Sequence, residues 1–284
     1  VSGGDPAAIV AAVAATGERL TTPCGDGRMV WHRWGRGPTV ALFHGGFGSW
    51  THWIRNVEAL ARHYTVLAAD LPGLGDSDLP PEPYDGWSIA RICADGLGEL
   101  VPAGERLHLV GFSFGGVVGG PTAVLLGQRV KSFTFVGSGG MGARRRTLEL
   151  KSWRHLQDPA EQDAMHRENL GILMIADPAR IDALAAHLQA GNASRGRTKS
   201  RPISMSPILL DALPQVTAPV AAIFGERDAT AHPWLDEREA KLRAIRPELD
   251  FRVIPEAGHW VQYEAADRFN ETLLDLLRLR ETTS

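Results

Sequence analysis

Six short apolar runs, most closed by a glycine or loop-forming cluster and separated by helical stretches, constrain this chain more than any other feature. They are "TVALFH" (39–44), "YTVLAAD" (64–70), "LHLVGF" (107–112), "SFTFVG" (132–137), "VAAIFG" (220–225) and the weaker "LDFRVIP" (249–255). Apolar runs without polar alternation suit strands buried on both faces, as in a parallel sheet. Helical patterns over 51–62 and 88–101 fall between them. Alternation of this kind predicts an α/β fold: a mostly parallel twisted sheet with helices on both faces. Segments 18–22 and 28–34, around the turn "CGDG", read as an antiparallel pair ahead of it.

The rhythm stops after residue 138. From there to about residue 212 the chain reads as helical and charged, carries Arg144, Arg145 and Arg146 in a row, and becomes polar and Gly/Ser-rich over 191–206. This predicts a core domain of residues 1–138 and 213–284 and a helical cap (lid) of residues 139–212. Open α/β sheets bind ligands at the carboxyl ends of their strands, so a cap inserted there would wall a pocket. A surface excursion without a binding role is the plainer alternative.

A net charge of −3 points away from a nucleic-acid partner. No apolar run reaches the roughly 18 residues of a membrane span. The stretch "AAIVAAVAAT" lacks a basic flank and reads as a helix rather than a signal peptide. Cys24 and Cys93 stand far apart, with no Cys/His cluster, and read as ordinary thiols in a reducing compartment. The expectation is a cytoplasmic protein with a small-molecule substrate, no metal, no cofactor, and no membrane or nucleic-acid partner. A homodimer stays open.

"LHLVGFSFGG" places Gly111-Phe112-Ser113-Phe114-Gly115 between a strand and a helix, the context that gives G-x-S-x-G its meaning. At so sharp a turn a side chain at 111 or 115 would meet neighbouring backbone, and glycine removes the Cβ. Ser113 is the candidate nucleophile; the plain reading is an N-capping serine. The Phe114 amide then lies at a helix N-terminus, facing any charge that develops beside Ser113. A second strand ends in His44-Gly45-Gly46-Phe47-Gly48, a loop able to offer backbone N–H groups. Gly46 is the expected second oxyanion donor and Phe47 the neighbour that could replace it. His44 reads as a structural histidine.

Asp228, in "FGERDAT", and His259, in "PEAGHW", each follow a later strand. The order Ser…Asp…His suits a hydroxyl activated by an imidazole that a carboxylate orients. Glu226 is the local rival for the acid and His232 for the base. Phe47, Trp50, Trp53, Phe112, Phe114, Met141, Trp153 and Trp260 fall in segments expected near Ser113 and would give a pocket an apolar lining. The arginine run reads as a solvated face, with an anion site as the alternative. Pro121 is expected to kink or shorten the helix after Ser113.

The set "HGGFGSW", "AADLPGLGDSD", "GFSFGG", "GERD" and "PEAGHW" resembles the α/β-hydrolase superfamily over most of the chain. "GHWVQYEAADRFNETLLDLL" and "GSGGMG" are similar to the meta-cleavage-product hydrolases, which break a carbon–carbon bond in ring-fission products of aromatic catabolism. The resemblance implies an α/β-hydrolase fold and a vinylogous diketone acid, protonated to a keto form and cleaved by water through the Ser-His pair. It also implies that Trp260 lines the pocket and that a lid arginine, Arg195 or Arg197, holds the substrate's oxyanions. Phe112 stands where that subfamily has asparagine, and phenylalanine cannot hydrogen-bond a dienol oxygen. Hydrolysis of small acyl esters is therefore the alternative, and a catalytically silent ligand-binding protein a further one. Residues 137–142 also match G-x-G-x-x-G, but no strand ends in an acidic residue about 20 positions on, as a dinucleotide site requires.

Overall fold

The computed structural model describes residues 4–282. Its strands are β1 (Glu18–Cys24), β2 (Gly27–Trp34), β3 (Thr39–Phe43), β4 (Thr65–Asp70), β5 (Leu107–Phe112), β6 (Val130–Val136), β7 (Val220–Gly225) and β8 (Asp250–Ile254). They form one sheet in the order β1-β2-β4-β3-β5-β6-β7-β8. The β1–β2 and β2–β4 pairings are antiparallel and the rest parallel. From β3 the chain moves outward to β4, then returns to the other side of β3 for β5. That reversal opens a crevice between the carboxyl ends of β3 and β5.

Helix α1 (Pro6–Ala15) precedes the sheet, with Asp5 capping it through the Ala7 N–H. Next come α2 (Val57–Ala61), α3 (Gly86–Leu100) and α4 (Phe114–Leu126). The insertion carries α5 (Pro159–Asn169), α6 (Ala183–Arg195), α7 (Ser200–Met205) and α8 (Ile208–Ala212), and α9 (Leu235–Ile245), α10 (Val261–Glu264) and α11 (Ala266–Glu281) close the chain. Each buried strand feeds two cores. On β3, Ala41 and Phe43 join the cluster beneath α3, α4 and α9, while Val40 and Leu42 join that beneath α2 and α11. In α11, Phe269, Leu273, Leu276 and Leu277 are buried on the chain's own sheet.

Three local expectations differ from the structure. Residues 51–62 are not one helix: a 3-10 turn spans Trp50–Trp53 and α2 starts only at Val57. Between them the buried Asn56 amide donates to Gln262 O and Asn270 Oδ1, a tertiary demand that overrides local propensity. The insertion has no helix before α5. There Asn169 holds the chain by bonding both backbone groups of Lys151. Helix α4 runs through Pro121 to Leu126. It is held tightly: a Cβ on Gly119 would stand 2.9 Å from the Phe133 ring, and one on Gly120 2.7 Å from Leu209. Among the described residues, no helix is long and apolar enough to cross a membrane.

Candidate active site

Ser113 sits where β5 turns into α4, at φ 50°, a left-handed conformation rare for a side-chain-bearing residue. Its N–H donates to Val136 O at 2.7 Å, which fastens the turn to the end of β6. Both flanking glycines are required by contact. A Cβ on Gly111 would lie 2.4 Å from Gly115 O, and one on Gly115 would lie 2.3 Å from Phe43 O. Backbone atoms cannot yield as a flexible side chain can, so the elbow exists only with glycine at both positions.

The Ser113 hydroxyl is 3.0 Å from His259 Nε2. On the far side of that ring, Nδ1 lies 3.0 and 2.9 Å from the two Asp228 carboxylate oxygens. Asp228 Oδ1 also accepts from the Thr230 N–H and hydroxyl, both at 2.8 Å. Burial by itself would raise the Asp228 carboxyl's pKa. The facing histidine and these hydrogen bonds outweigh it and hold the pKa below the ordinary carboxylate value. Hydroxyl, imidazole and ionised carboxylate thus form a chain able to take a proton from Ser113 and stabilise the resulting imidazolium. The rivals lie elsewhere: Glu226 accepts from the Glu256 N–H, and His232 meets Asp228 only through a backbone bond to its carbonyl.

The glycine loop after β3 flanks this chain. A Cβ on Gly45 would stand 3.3 Å from Ser113 Cβ, and one on Gly46 3.8 Å from Phe114 Cβ. The Gly45 N–H is used by His52 Nδ1 at 3.2 Å. Gly46, Phe47 and Phe114 line the same cavity as Ser113, and their N–H groups meet no acceptor among the described residues. His44 is buried, with Nε2 accepting from the Leu71 N–H and Nδ1 donating to Gly45 O. Burial pulls its pKa down to about 4 and so keeps it neutral.

The cavity measures about 400 Å³. Phe112 and Met141 line it, as do Phe47 and Phe114. Four expected lining residues do not. Trp260 turns inward, its ring stacked 4.2 Å from Tyr263 and its N–H donating to His52 O. Trp50 packs against His32 and Trp34. Arg195 pairs with Asp76 at 2.7 Å, and Arg197 donates to Ser77 O; both tie the insertion to the β4 side of the sheet. Two further aromatics also pack elsewhere, Trp53 on Phe269 and Trp153 on His166. In place of the two arginines, Arg145, Arg146, Arg201 and the buried Arg238 line the cavity. Arg238 gives its two terminal nitrogens to Ser138 O, Arg144 O and Thr230 O. Arg145, Arg146 and Arg201 have no carboxylate partner among the described residues. Burial and the nearby Arg201 charge lower the Arg145 pKa. Two of these arginines belong to the run read above as a solvated face; the irregular path of 139–158 folds it over the cavity.

Glu264 escaped sequence reasoning. Buried at the end of α10, it accepts from Gly258 N at 2.7 Å, Asp177 N at 2.8 Å and Ala176 N at 3.0 Å. It joins the loop that carries His259 to the insertion. The Trp260 N–H adds a bond to Met174 O at 2.7 Å, at the end of a π-helical turn, Leu170–Met174. The stretch 137–142 has a packing role rather than a dinucleotide-binding form. Gly137 lies against Asp228 and His259, and Gly140 against Leu209 and Val117. Among the described residues no cluster of three or more His, Cys, Asp or Glu side chains could hold a metal.

Known proteins resemble this chain. The chain is 31% identical, over 85% of its length and 64% of the relative's, to the dihydrolipoyllysine-residue acetyltransferase component of an acetoin cleaving system from Pseudomonas putida. It is 27% identical, over 86% of its length and 88% of the relative's, to the 2-hydroxy-6-oxo-6-phenylhexa-2,4-dienoate hydrolase of Burkholderia cepacia. A solved meta-cleavage product hydrolase from Pseudomonas fluorescens superposes with a TM-score of 0.70 at 22% identity, covering 91% of this chain and 97% of that one. The family model described as "Alpha/beta hydrolase family" matches residues 40–272, and the chain belongs to that family.

Proposed function

We propose that this hydrolase works through a Ser113-His259-Asp228 triad on a small, largely apolar carbonyl compound that carries a carboxylate. The observation behind it is the continuous chain from the Ser113 hydroxyl through His259 to a buried, ionised Asp228, opening on a cavity at the sheet's switch point. His259 removes the hydroxyl proton as Ser113 Oγ attacks the carbonyl carbon, and the carbonyl π-electrons move onto oxygen. Backbone N–H groups of Phe114 and of Gly46 or Phe47 receive that oxyanion. The imidazolium then protonates the leaving group, and water repeats the sequence to free Ser113.

Residues 139–212 act as the cap in this reading. The cap's unpaired Arg145, Arg146 and Arg201 favour an anionic substrate, since guanidinium forks match carboxylates geometrically. Together with the dienoate hydrolase among the relatives, this supports carbon–carbon bond hydrolysis of a ring-fission dienoate. In that chemistry the dienol is first protonated to a keto form. Phe112 supports a second reading, hydrolysis of small acyl esters, because its ring gives a dienol oxygen no hydrogen bond. Buried, unpaired Cys24 and Cys93 suit a cytoplasmic setting.

The test has two parts. A fluorophosphonate probe should label Ser113, and labelling should need His259; folded protein that stays unlabelled rejects the triad. Ring-fission dienoates are then run beside p-nitrophenyl esters. Turnover of esters alone rejects the carbon–carbon reading.

A further inference from the structure

We propose that Ser200, at the start of α7 in the insertion, supplies a third, side-chain donor to the oxyanion pocket, so that the site is complete only with the insertion in place. This rests on Ser113 being the nucleophile.

Ser200 lines the cavity that holds Ser113, Gly46 and Phe114. Its Oγ lies 2.7 Å from the point where a Cβ on Gly46 would stand, and Phe114 Cβ lies 3.8 Å from that same point. The hydroxyl therefore borders the gap between the glycine loop and the first residue of α4, the two segments proposed above to supply the backbone donors. A methyl group on residue 46 would fill the gap and press on the hydroxyl.

The second observation is an unspent donor. Ser200 is only 4% exposed, yet its hydroxyl meets no acceptor among the described residues. Its backbone N–H is already used by Thr198 O. The hydroxyl of a residue that lines the cavity and has no protein acceptor is free to donate to an oxygen in that cavity. The oxyanion that develops beside Ser113 would be that acceptor.

The third is rigidity. Just before Ser200, the N–H groups of Arg197 and Thr198 both donate to Gly73 O, and the Thr198 hydroxyl donates to Pro72 O at 2.6 Å. The Lys199 N–H donates to Tyr84 Oη at 3.1 Å. These bonds anchor the insertion to the loop after β4, so the hydroxyl is held in place before substrate arrives. A donor fixed in advance stabilises developing charge without reorganising during the reaction.

The experiment compares wild type, Ser200→Ala and Ser200→Thr. A fluorophosphonate places its phosphoryl oxygen in the oxyanion pocket as it captures Ser113, so its second-order labelling rate reports the donors there. Ser200→Ala should label about 10- to 100-fold more slowly, up to the cost of one oxyanion donor. Ser200→Thr, which keeps the hydroxyl, should recover most of that loss. On a p-nitrophenyl ester the alanine variant should lower kcat and leave KM within a factor of about two, as expected for a bond made only in the transition state. Equal labelling of wild type and Ser200→Ala overturns the proposal, as does a rise in KM at constant kcat. A wild type that never labels removes the triad reading as well, which separates the two failures.

Discussion

Gly137 lies against the Asp228–His259 pair: a Cβ added to it would stand 3.1 Å from Asp228 Oδ2 and 3.2 Å from His259 Nδ1. Its φ of +53° also disfavours any side chain. Gly137→Ala should therefore strain the backbone and push the imidazole off line while leaving the fold intact. Displacements near 1 Å cost about 100-fold in rate. The measurement is Ser113 labelling beside a circular dichroism spectrum. Wild-type labelling by a folded variant would contradict the contact.

Asp228→Asn tests the orienting carboxylate. Thr230 offers two donors to Oδ1, so the amide oxygen belongs there and the NH₂ turns toward His259. His259 Nδ1 must then accept, and its proton moves to Nε2, the nitrogen that should receive one from Ser113. A loss of about 10⁴ in kcat follows, by analogy with the same change in a serine protease. Steady-state kinetics decide it; a loss below tenfold would mean that Asp228 does not set the tautomer.

Wherever a local signal coincided with the final geometry, the sequence was legible. Strands from Thr39–Phe43 through Asp250–Ile254 sit within two residues of the apolar runs. Ser113, Asp228 and His259 could be read as neighbours because each follows a strand in parallel register, so topology brings them to one rim. Arg195 and Arg197 were misplaced because partners in another segment, Asp76 and Ser77 O, claim them. Trp260 was misplaced because its neighbour His259 faces the cavity while its own ring is drawn under α10. The places of Arg145, Arg201 and Ser200 on the cavity wall, and of Glu264 behind the His259 loop, were hard to read from the sequence for one reason. Their roles depend on how the insertion folds back over the sheet, and no short-range pattern encodes that path.

Charge selection by the cavity follows from Arg201 and Arg145, cationic groups without a carboxylate partner among the described residues. Arg201→Ala should raise KM for a carboxylate-bearing substrate by about 10- to 100-fold, the value of a hydrogen bond to a charged group. It should leave a neutral ester within a factor of about two, because a neutral substrate makes no such bond. Arg145→Lys, which keeps the charge but loses the planar fork, should fall between wild type and Arg145→Ala. Parallel KM values for both substrate types across these variants would remove the arginines from recognition.

Acid should destabilise the fold through its buried histidines. Burial pulls the pKa of His44 and of His32 down to about 4 from 6.5. His52 is also lowered, by burial and by the neighbouring His44 and His259. Between pH 6.5 and 4 the unfolded chain binds protons that the folded one refuses, so stability present above pH 6.5 is lost as pH falls. For His44 the loss is about 3 kcal/mol, in keeping with its Nε2 lone pair being committed to the Leu71 N–H. Asp70 acts in the opposite sense. Burial pushes its pKa up to about 6, so its contribution is favourable in acid and lost as pH rises through that value. Urea midpoints from pH 7 to 4.5 should fall, more gently in His44→Gln and more steeply in Asp70→Asn. An unchanged slope in His44→Gln would contradict the neutral, lone-pair-accepting state assigned to His44.

Glu264 is expected to couple the His259 loop to the insertion. Its Oε2 accepts from Gly258 and Ala176, its Oε1 from Asp177, and the Trp260 N–H bonds Met174 O beside them. His259 thus sits between two residues whose backbone N–H groups are committed to this junction. Glutamine keeps the shape but turns one oxygen into a donor. Whichever way the amide faces, at least one backbone N–H then confronts an NH₂ and stays buried without an acceptor, at a cost of about 1–3 kcal/mol. The His259 loop and segment 176–177 should loosen together. Glu264→Gln is therefore expected to lower the thermal midpoint and slow Ser113 labelling, and to raise amide exchange at Gly258, Ala176 and Asp177 above that of β5. Loss of stability with exchange confined to α10 and α11 would make Glu264 a packing residue of the last helices and dissolve the link between the insertion and the His259 loop.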